Sequence, residues 1–301
     1  MDDQFKEIFR KYLKPTRRSH FVKREYLSAW SNDGEHILTS RDKIHFVPNN
    51  LKDVCVEKDL YKMEKLNELE LLQVKTFYKN SPDCVKKVND EFLEMWQITC
   101  TIIDNIEKPE YKELVKKMSI QGGEDLQSNF EHAFDDHIKN CLLECDESFL
   151  KDDNKLLNFG FYIFSQYLRT QKHKNKISET LYNSPNFEKL NVQIKPEKIW
   201  NVLITVMSNM ASYTLLTRNG KNHICFIKSE NENLLTSDQP IVNVAENIDN
   251  DYAKFYYPIS PKIGIIFPTE EWKIIENDSL LIEEMNNIII NNSSRVIFKL
   301  K

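Results

Sequence analysis

Leu234-Leu235-Thr236-Ser237-Asp238-Gln239-Pro240-Ile241-Val242 reads as strand, polar turn, strand. Two leucines lead in, Ser237 to Pro240 break the run, and Ile241 and Val242 lead out. Pro240 removes a backbone donor and biases Gln239 away from the helical region. Asp238 can bond the backbone of its own turn. It also stands at a strand end, where a rigid scaffold can aim a carboxylate. Around it lie short apolar segments at 223–228, 233–236, 240–244, 253–258 and 262–267, each of strand length. They begin just after Asn219-Gly220, a helix-closing pair.

Upstream the period is helical. Leu69, Leu72, Phe77 and Tyr78 mark a helix over 67–80. Pro82 opens another to about 106, through Phe92, Met95, Trp96 and Ile103. The spacing predicts a short helix at 109–118, a loop at Gly122-Gly123 and a helix over 124–145. Further helices are expected over 153–173 and 196–217. At the start, 3–13 reads as an amphipathic helix, and 19–30 as a short helix with Ser19 as N-cap and His20 in its first turn. Ile37-Leu38-Thr39 and Ile44-His45-Phe46-Val47 make a hairpin around Ser40-Arg41-Asp42-Lys43. A helix at 279–292 and a strand at 295–300 end the chain.

The expected class is α+β: a small N-terminal hairpin, a helical middle at 66–218 and a C-terminal, mostly antiparallel sheet at 222–301. No linker or internal repeat separates these parts, so residues 1–301 are expected to form one integrated domain, with 1–65 as its N-terminal subregion.

Six glycines leave almost no room for a phosphate-cradling loop, and no Lys-Ser or Lys-Thr follows the single Gly-Gly pair. A net charge of −5 gives no prior for broad nucleic-acid binding, although a local basic groove is compatible with it. The six cysteines show no C-x-x-C spacing, which points to reduced thiols in a cytoplasmic protein. The acidic N-terminus lacks an apolar signal core, and no apolar run reaches about 18 residues, so no membrane association is expected.

Three polar spots interrupt apolar faces: His20 behind Arg17 and Arg18, Gln166-Tyr167-Leu168-Arg169-Thr170 at a helix end, and Ser237-Asp238. A His serves as general base or metal ligand. An Arg presents a planar fork to carboxylate or phosphate. Each has a plainer alternative: a helix-start histidine bonded to backbone, a helix-end ion pair, or a turn cap. Glu131, His132, Asp135, Asp136 and His137 form a dense cluster with i,i+4 pairs, but such a run is usually a solvated face. Glu131, flanked by Phe130 and Phe134, is its best pocket candidate.

Five short motifs occur in a telling order: Ser19-His20-Phe21-Val22 with Tyr26-Leu27, Val56-Glu57-Lys58-Asp59-Leu60-Tyr61, Gln166 with Arg169-Thr170, Thr236-Ser237-Asp238-Gln239-Pro240, and Tyr257-Pro258-Ile259-Ser260-Pro261. In this the chain, over about 18–298, resembles a bacterial family known as domain of unknown function 4238. Lys23 and Gln171 stand where that family tends to have proline. The resemblance supports a shared pocket of His20, Arg169 and Asp238; Gln166, Thr170, Ser237 and Arg18, beside them in the sequence, are the expected binding residues. It also suggests an accessory role in phage defence.

Two functions are expected. One is a hydrolase or nuclease acting on a phosphate-containing substrate, a nucleotide or nucleic acid. Arg169 would hold a phosphoryl oxygen, Asp238 and Glu131 would bind Mg²⁺ or Mn²⁺ or orient water, and His20 would act as acid or base. The alternative is a non-catalytic sensor or interaction module, toxin-like or a defence accessory, in which His20, Arg169 and Asp238 form a structural network.

Overall fold

The computed structural model describes residues 15, 17–106, 111–132, 134, 136–182, 195–218, 220–231, 233–245 and 253–300. In chain order the elements are β1 (Arg18–His20), α1 (Arg24–Leu27), β2 (His36–Ser40), β3 (Val47–Asn50), β4 (Val56–Lys58), α2 (Glu68–Tyr78), α3 (Asp83–Asp104), α4 (Lys112–His132), α5 (Asp136–Leu143), α6 (Asp153–Leu168), α7 (Gln171–Tyr182) and α8 (Pro196–Leu216). There follow β5 (His223–Lys228), β6 (Thr236–Ser237), β7 (Val242–Asn243), β8 (Phe255–Pro258), β9 (Ile263–Thr269), β10 (Lys273–Glu276), α9 (Ser279–Asn292) and β11 (Ile297–Lys299). The protein is α+β, with a helical middle and sheets on either side of it in sequence. The helix expected at 3–13 lies outside the described residues.

The chain groups into two compact units, each assembled from three segments. The first comprises 1–19, 57–133 and 174–210; the second comprises 20–56, 134–173 and 211–301.

The first unit is helical. Its core joins Val74 and Tyr78 of α2, Phe92, Trp96 and Cys100 of α3, and Ile199, Leu203 and Val206 of α8. Asn67 caps α2 by accepting from the Glu70 N–H, and Glu70 accepts from the Asn67 N–H, both at 2.9 Å. Gly122 and Gly123 do not make a loop; α4 runs straight through them. A Cβ at Gly123 would lie 1.7 Å from the Tyr61 carbonyl oxygen, so the missing side chain serves close backbone approach inside a helix. The helix expected over 124–145 is therefore two pieces, the end of α4 and the separate α5. α8 is long and apolar enough to cross a membrane, but 56 % of that stretch is buried inside the protein, as in a core helix.

The second unit holds two sheets. Five strands run in the order β10-β5-β9-β8-β7, antiparallel except for the parallel β10–β5 pair. Four strands run in the order β3-β2-β11-β6, all antiparallel. α5 and α6 cover the larger sheet through Ile138, Leu142, Phe159 and Ile163, which meet Phe226, Ile265 and Phe267. A Cβ at Gly160 would come within 2.5 Å of Leu215, so this glycine too permits close helix packing. α9 packs its Ile282, Met285 and Ile289 against Ile227, Val242 and Tyr256.

Two further expectations are corrected. Residues 19–30 do not start as a helix: Ser19 and His20 lie in β1, which pairs with β4, and the Phe21 N–H donates to the Cys55 carbonyl at 3.0 Å. Ser19 therefore does not cap; its hydroxyl donates to Glu124. The helix expected over 153–173 ends at Leu168, because Arg169 leaves helical geometry at ψ 0°, and α7 starts afresh at Gln171. All six cysteines are free thiols.

Candidate functional site

The turn after β6 is built from its own side chains. Ser237 Oγ accepts from the Gln239 N–H and donates to the Gln239 carbonyl, both at 3.0 Å. Asp238 turns the other way. Its Oδ1 accepts from the Ser294 N–H at 2.9 Å and its Oδ2 from the Arg295 N–H at 2.8 Å, while its own N–H donates to the Val296 carbonyl at 3.0 Å. One carboxylate thus clamps the backbone between α9 and β11. Asp238 is 3 % exposed. Burial lifts its carboxyl above the usual aspartate range, against the opposing pull of those N–H groups and of the Arg295 charge.

The other motifs join the same buried network. Thr170 Oγ1 donates to Gln239 Oε1, and Gln239 Nε2 donates to the Ile241 carbonyl at 3.0 Å. Gln166 Nε2 donates to the Phe21 carbonyl at 3.0 Å, and Arg169 donates to Gln166 Oε1. The Tyr26 hydroxyl meets Thr236 Oγ1 at 2.6 Å and donates to the Pro258 carbonyl at 2.7 Å. Its ring stacks on Tyr257 at 5.1 Å, and the Tyr257 hydroxyl meets that of Tyr162 at 3.1 Å. Burial pushes the Tyr257 phenol far above its ordinary value, with the nearby Arg169 charge opposing. Arg169 and Thr170 are 2 % and 1 % exposed, so these groups brace one another inside the unit.

The open space lies beside this network. Ser40 faces Ile297 across the β2–β11 ladder, and Ile297 faces Ser237 across the β11–β6 ladder. The three strands therefore end at one level, and their next residues, Arg41, Val296 with Arg295, and Asp238, open at the same end of the sheet. There they line a cleft of about 480 Å³. Phe21, Val54 and Val56 give it apolar walls, and Asn49, Asp53 and Thr39 add polar groups. Asn49 Nδ2 donates to Thr39 Oγ1 at 2.6 Å. The turn carrying Arg41 is held by Asp42, whose Oδ1 accepts from the Ile44 and His45 N–H groups at 2.9 and 2.8 Å. Neither Arg41 nor Arg295 forms an ion pair with a described residue, and both are exposed. The Cys55 thiol also lines the cleft; burial pushes its pKa well up and the Asp238 charge adds to this, so it stays protonated.

Of the residues expected from sequence, Asp238 lines this cleft, while His20 and Arg169 do not. His20 ends β1, half-buried, one residue before Phe21, which does line it. Gln166, Thr170 and Ser237 are buried, and each is hydrogen-bonded to its neighbours. Arg18 is exposed on β1, and Glu131 lies near the end of α4 in the first unit. Among the described residues no three His, Cys, Asp or Glu side chains gather as a metal-binding group. Arg41 and Arg295 were missed. Each stands beside a strand end in the sequence, but only the ladder register brings them together.

A family model matches residues 18–301. The chain belongs to the family described as Protein of unknown function (DUF4238). No curated protein and no solved structure matches it. The match spans every strand of both sheets and the whole buried network, so the cleft lies within the part of the chain that defines family membership.

Proposed function

We propose that the protein binds a phosphate-bearing small molecule, such as a nucleotide, in the cleft between the ends of β2, β11 and β6. One observation carries this reading: two exposed guanidiniums, without ion-pair partners among the described residues, line one cleft of ligand size. A guanidinium presents paired N–H donors that match phosphoryl oxygens. The apolar wall of Phe21, Val54 and Val56 suits the non-phosphate part of such a ligand. Asp238 acts here as a positioning residue: it grips the backbone of Arg295 and so fixes where that side chain starts. This favours the sensor or binding-module reading over metal-dependent hydrolysis. A hydrolase or nuclease in the same cleft would have, among the described lining residues, Asp53 and Asp238 as its carboxylates, and both oxygens of Asp238 already accept backbone N–H groups.

Titration calorimetry with a panel of nucleoside monophosphates tests the proposal. A nucleoside phosphate should bind the native protein, and Arg41→Met with Arg295→Met should weaken it at least tenfold without changing the melting temperature. Equal affinity for the corresponding nucleoside, or binding unaffected by the double substitution, would remove the support. The phage-defence role is testable in the same pair of proteins by plaque counts. Protection that persists undiminished in the double variant would separate any such role from this cleft.

A further inference from the structure

A second cleft, of about 590 Å³, lies wholly within the helical first unit. Its charge is unlike that of the chain, which is −5 overall. Three lysine pairs line it, each from a separate segment: Lys62 and Lys65 from the loop before α2, Lys112 and Lys116 from the start of α4, and Lys195 and Lys198 from the start of α8. Among the described residues lining it, Glu64, Glu70 and Asp104 are the carboxylates.

Two of the six ammonium groups are already matched. Lys62 Nζ lies 2.7 Å from Glu64 Oε1, and Lys198 Nζ lies 2.6 Å from Glu70 Oε2. Glu70 is buried and also accepts from the Asn67 N–H at 2.9 Å, so its carboxylate is already engaged. Lys65, Lys112, Lys116 and Lys195 have no ion-pair partner among the described residues, and all four are exposed. Lys112 and Lys116 are an i,i+4 pair of like charge on one helix face, an arrangement that repels. A bound polyanion would turn the repulsion into attraction.

The geometry points to a polyphosphate site: we infer that this cleft takes a chain of linked phosphates, as in inorganic tripolyphosphate or the tail of a nucleoside triphosphate. Lysines are compact point charges on flexible stems, which suits several phosphates in a row better than a single planar carboxylate. The three segments place their ammonium groups around one space, so several phosphates can be met at once. The volume is in the range of small-ligand sites. The site shares no residue with the arginine cleft of the second unit and does not depend on it.

The test is calorimetry with tripolyphosphate at low ionic strength, on the full chain carrying Arg41→Met and Arg295→Met, so that the arginine cleft is silenced. Binding with one-to-one stoichiometry is expected. Lys65→Gln and Lys116→Gln together should weaken it at least tenfold, and each alone should weaken it measurably; all these side chains are exposed, and circular dichroism checks the fold. Rising salt should weaken binding steeply. Adenosine triphosphate binding as tightly as tripolyphosphate, with the monophosphate much weaker, supports recognition of the phosphate chain. The proposal is overturned if tripolyphosphate fails to bind, if the lysine variants bind it unchanged, or if only long single-stranded DNA binds.

Discussion

Replacing Asp238 by Asn tests whether this carboxylate is a clamp. The side chain keeps its shape and loses its charge. At present two N–H groups, of Ser294 and Arg295, meet its two oxygens at 2.9 and 2.8 Å. A hydrogen bond to a charged group contributes about 1.5–3 kcal/mol. The amide keeps one acceptor and turns its NH₂ toward the other N–H, so one bond is lost, one loses its charge assistance, and two donors confront each other. Against this, burial opposes the carboxylate's charge, as its raised pKa shows, and the neutral amide escapes that cost. The net loss is about 2 kcal/mol. A cooperative domain of 150–250 residues shifts about 2–4 °C per kcal/mol, so the midpoint should fall about 4–8 °C in scanning calorimetry. Anion affinity should fall too, because Arg295 loses its anchor. A midpoint within about 1 °C of the native protein refutes the clamp. If activity or ligand binding is lost at an unchanged midpoint, Asp238 has a chemical role instead.

The same group gives a pH prediction. Because its folded pKa is raised, its contribution to stability is full below the ordinary aspartate value, near 4, and is lost as pH rises through the folded value. The stability gap between native protein and Asp238→Asn should therefore widen as pH falls from 7 toward about 4, measured by urea melts; a constant or narrowing gap contradicts the assignment. Tyr26→Phe removes the hydroxyl that Thr236 and Pro258 share, and should cost about 1–3 kcal/mol in denaturant unfolding. A cost near zero would mean water replaces it. Gly123→Ala drives a methyl group into the Tyr61 carbonyl and should cost about 3 kcal/mol; retention of native stability would show that α4 can shift freely.

Much of the fold was legible because its periods are strong. The strand His223–Lys228 and the helix Ser279–Asn292 match their expected ranges, since β-branched and aromatic runs and a clean amphipathic repeat leave little competition. Gly122-Gly123 misled because glycine serves loops and close packing alike, and only the Tyr61 backbone, distant in sequence, shows which applies. Within 19–30 the helical spacing holds from Arg24 to Trp30 but misleads at Ser19 and His20, which are strand; Phe21, Tyr26 and Trp30 serve three separate tasks: lining a cleft, stacking on Tyr257, and donating from Trp30 Nε1 to the Leu234 carbonyl. Of the polar residues at element ends, Gln166, Arg169, Thr170, Ser237 and Asp238 all belong to one unit and are all buried. Their roles were not legible, because buried ligands and buried braces use the same side chains. Arg41 and Arg295 look like ordinary surface charges until the register of three strands is known.

In the proposed function Arg41 and Arg295 together receive an anion. Crystals of the native protein soaked in tungstate, a heavy tetrahedral stand-in for phosphate, test it most directly. An anomalous peak is expected within hydrogen-bond reach of both guanidiniums, absent when Arg41→Met and Arg295→Met are combined. An empty arginine cleft at a tungstate concentration that fills other sites would contradict it.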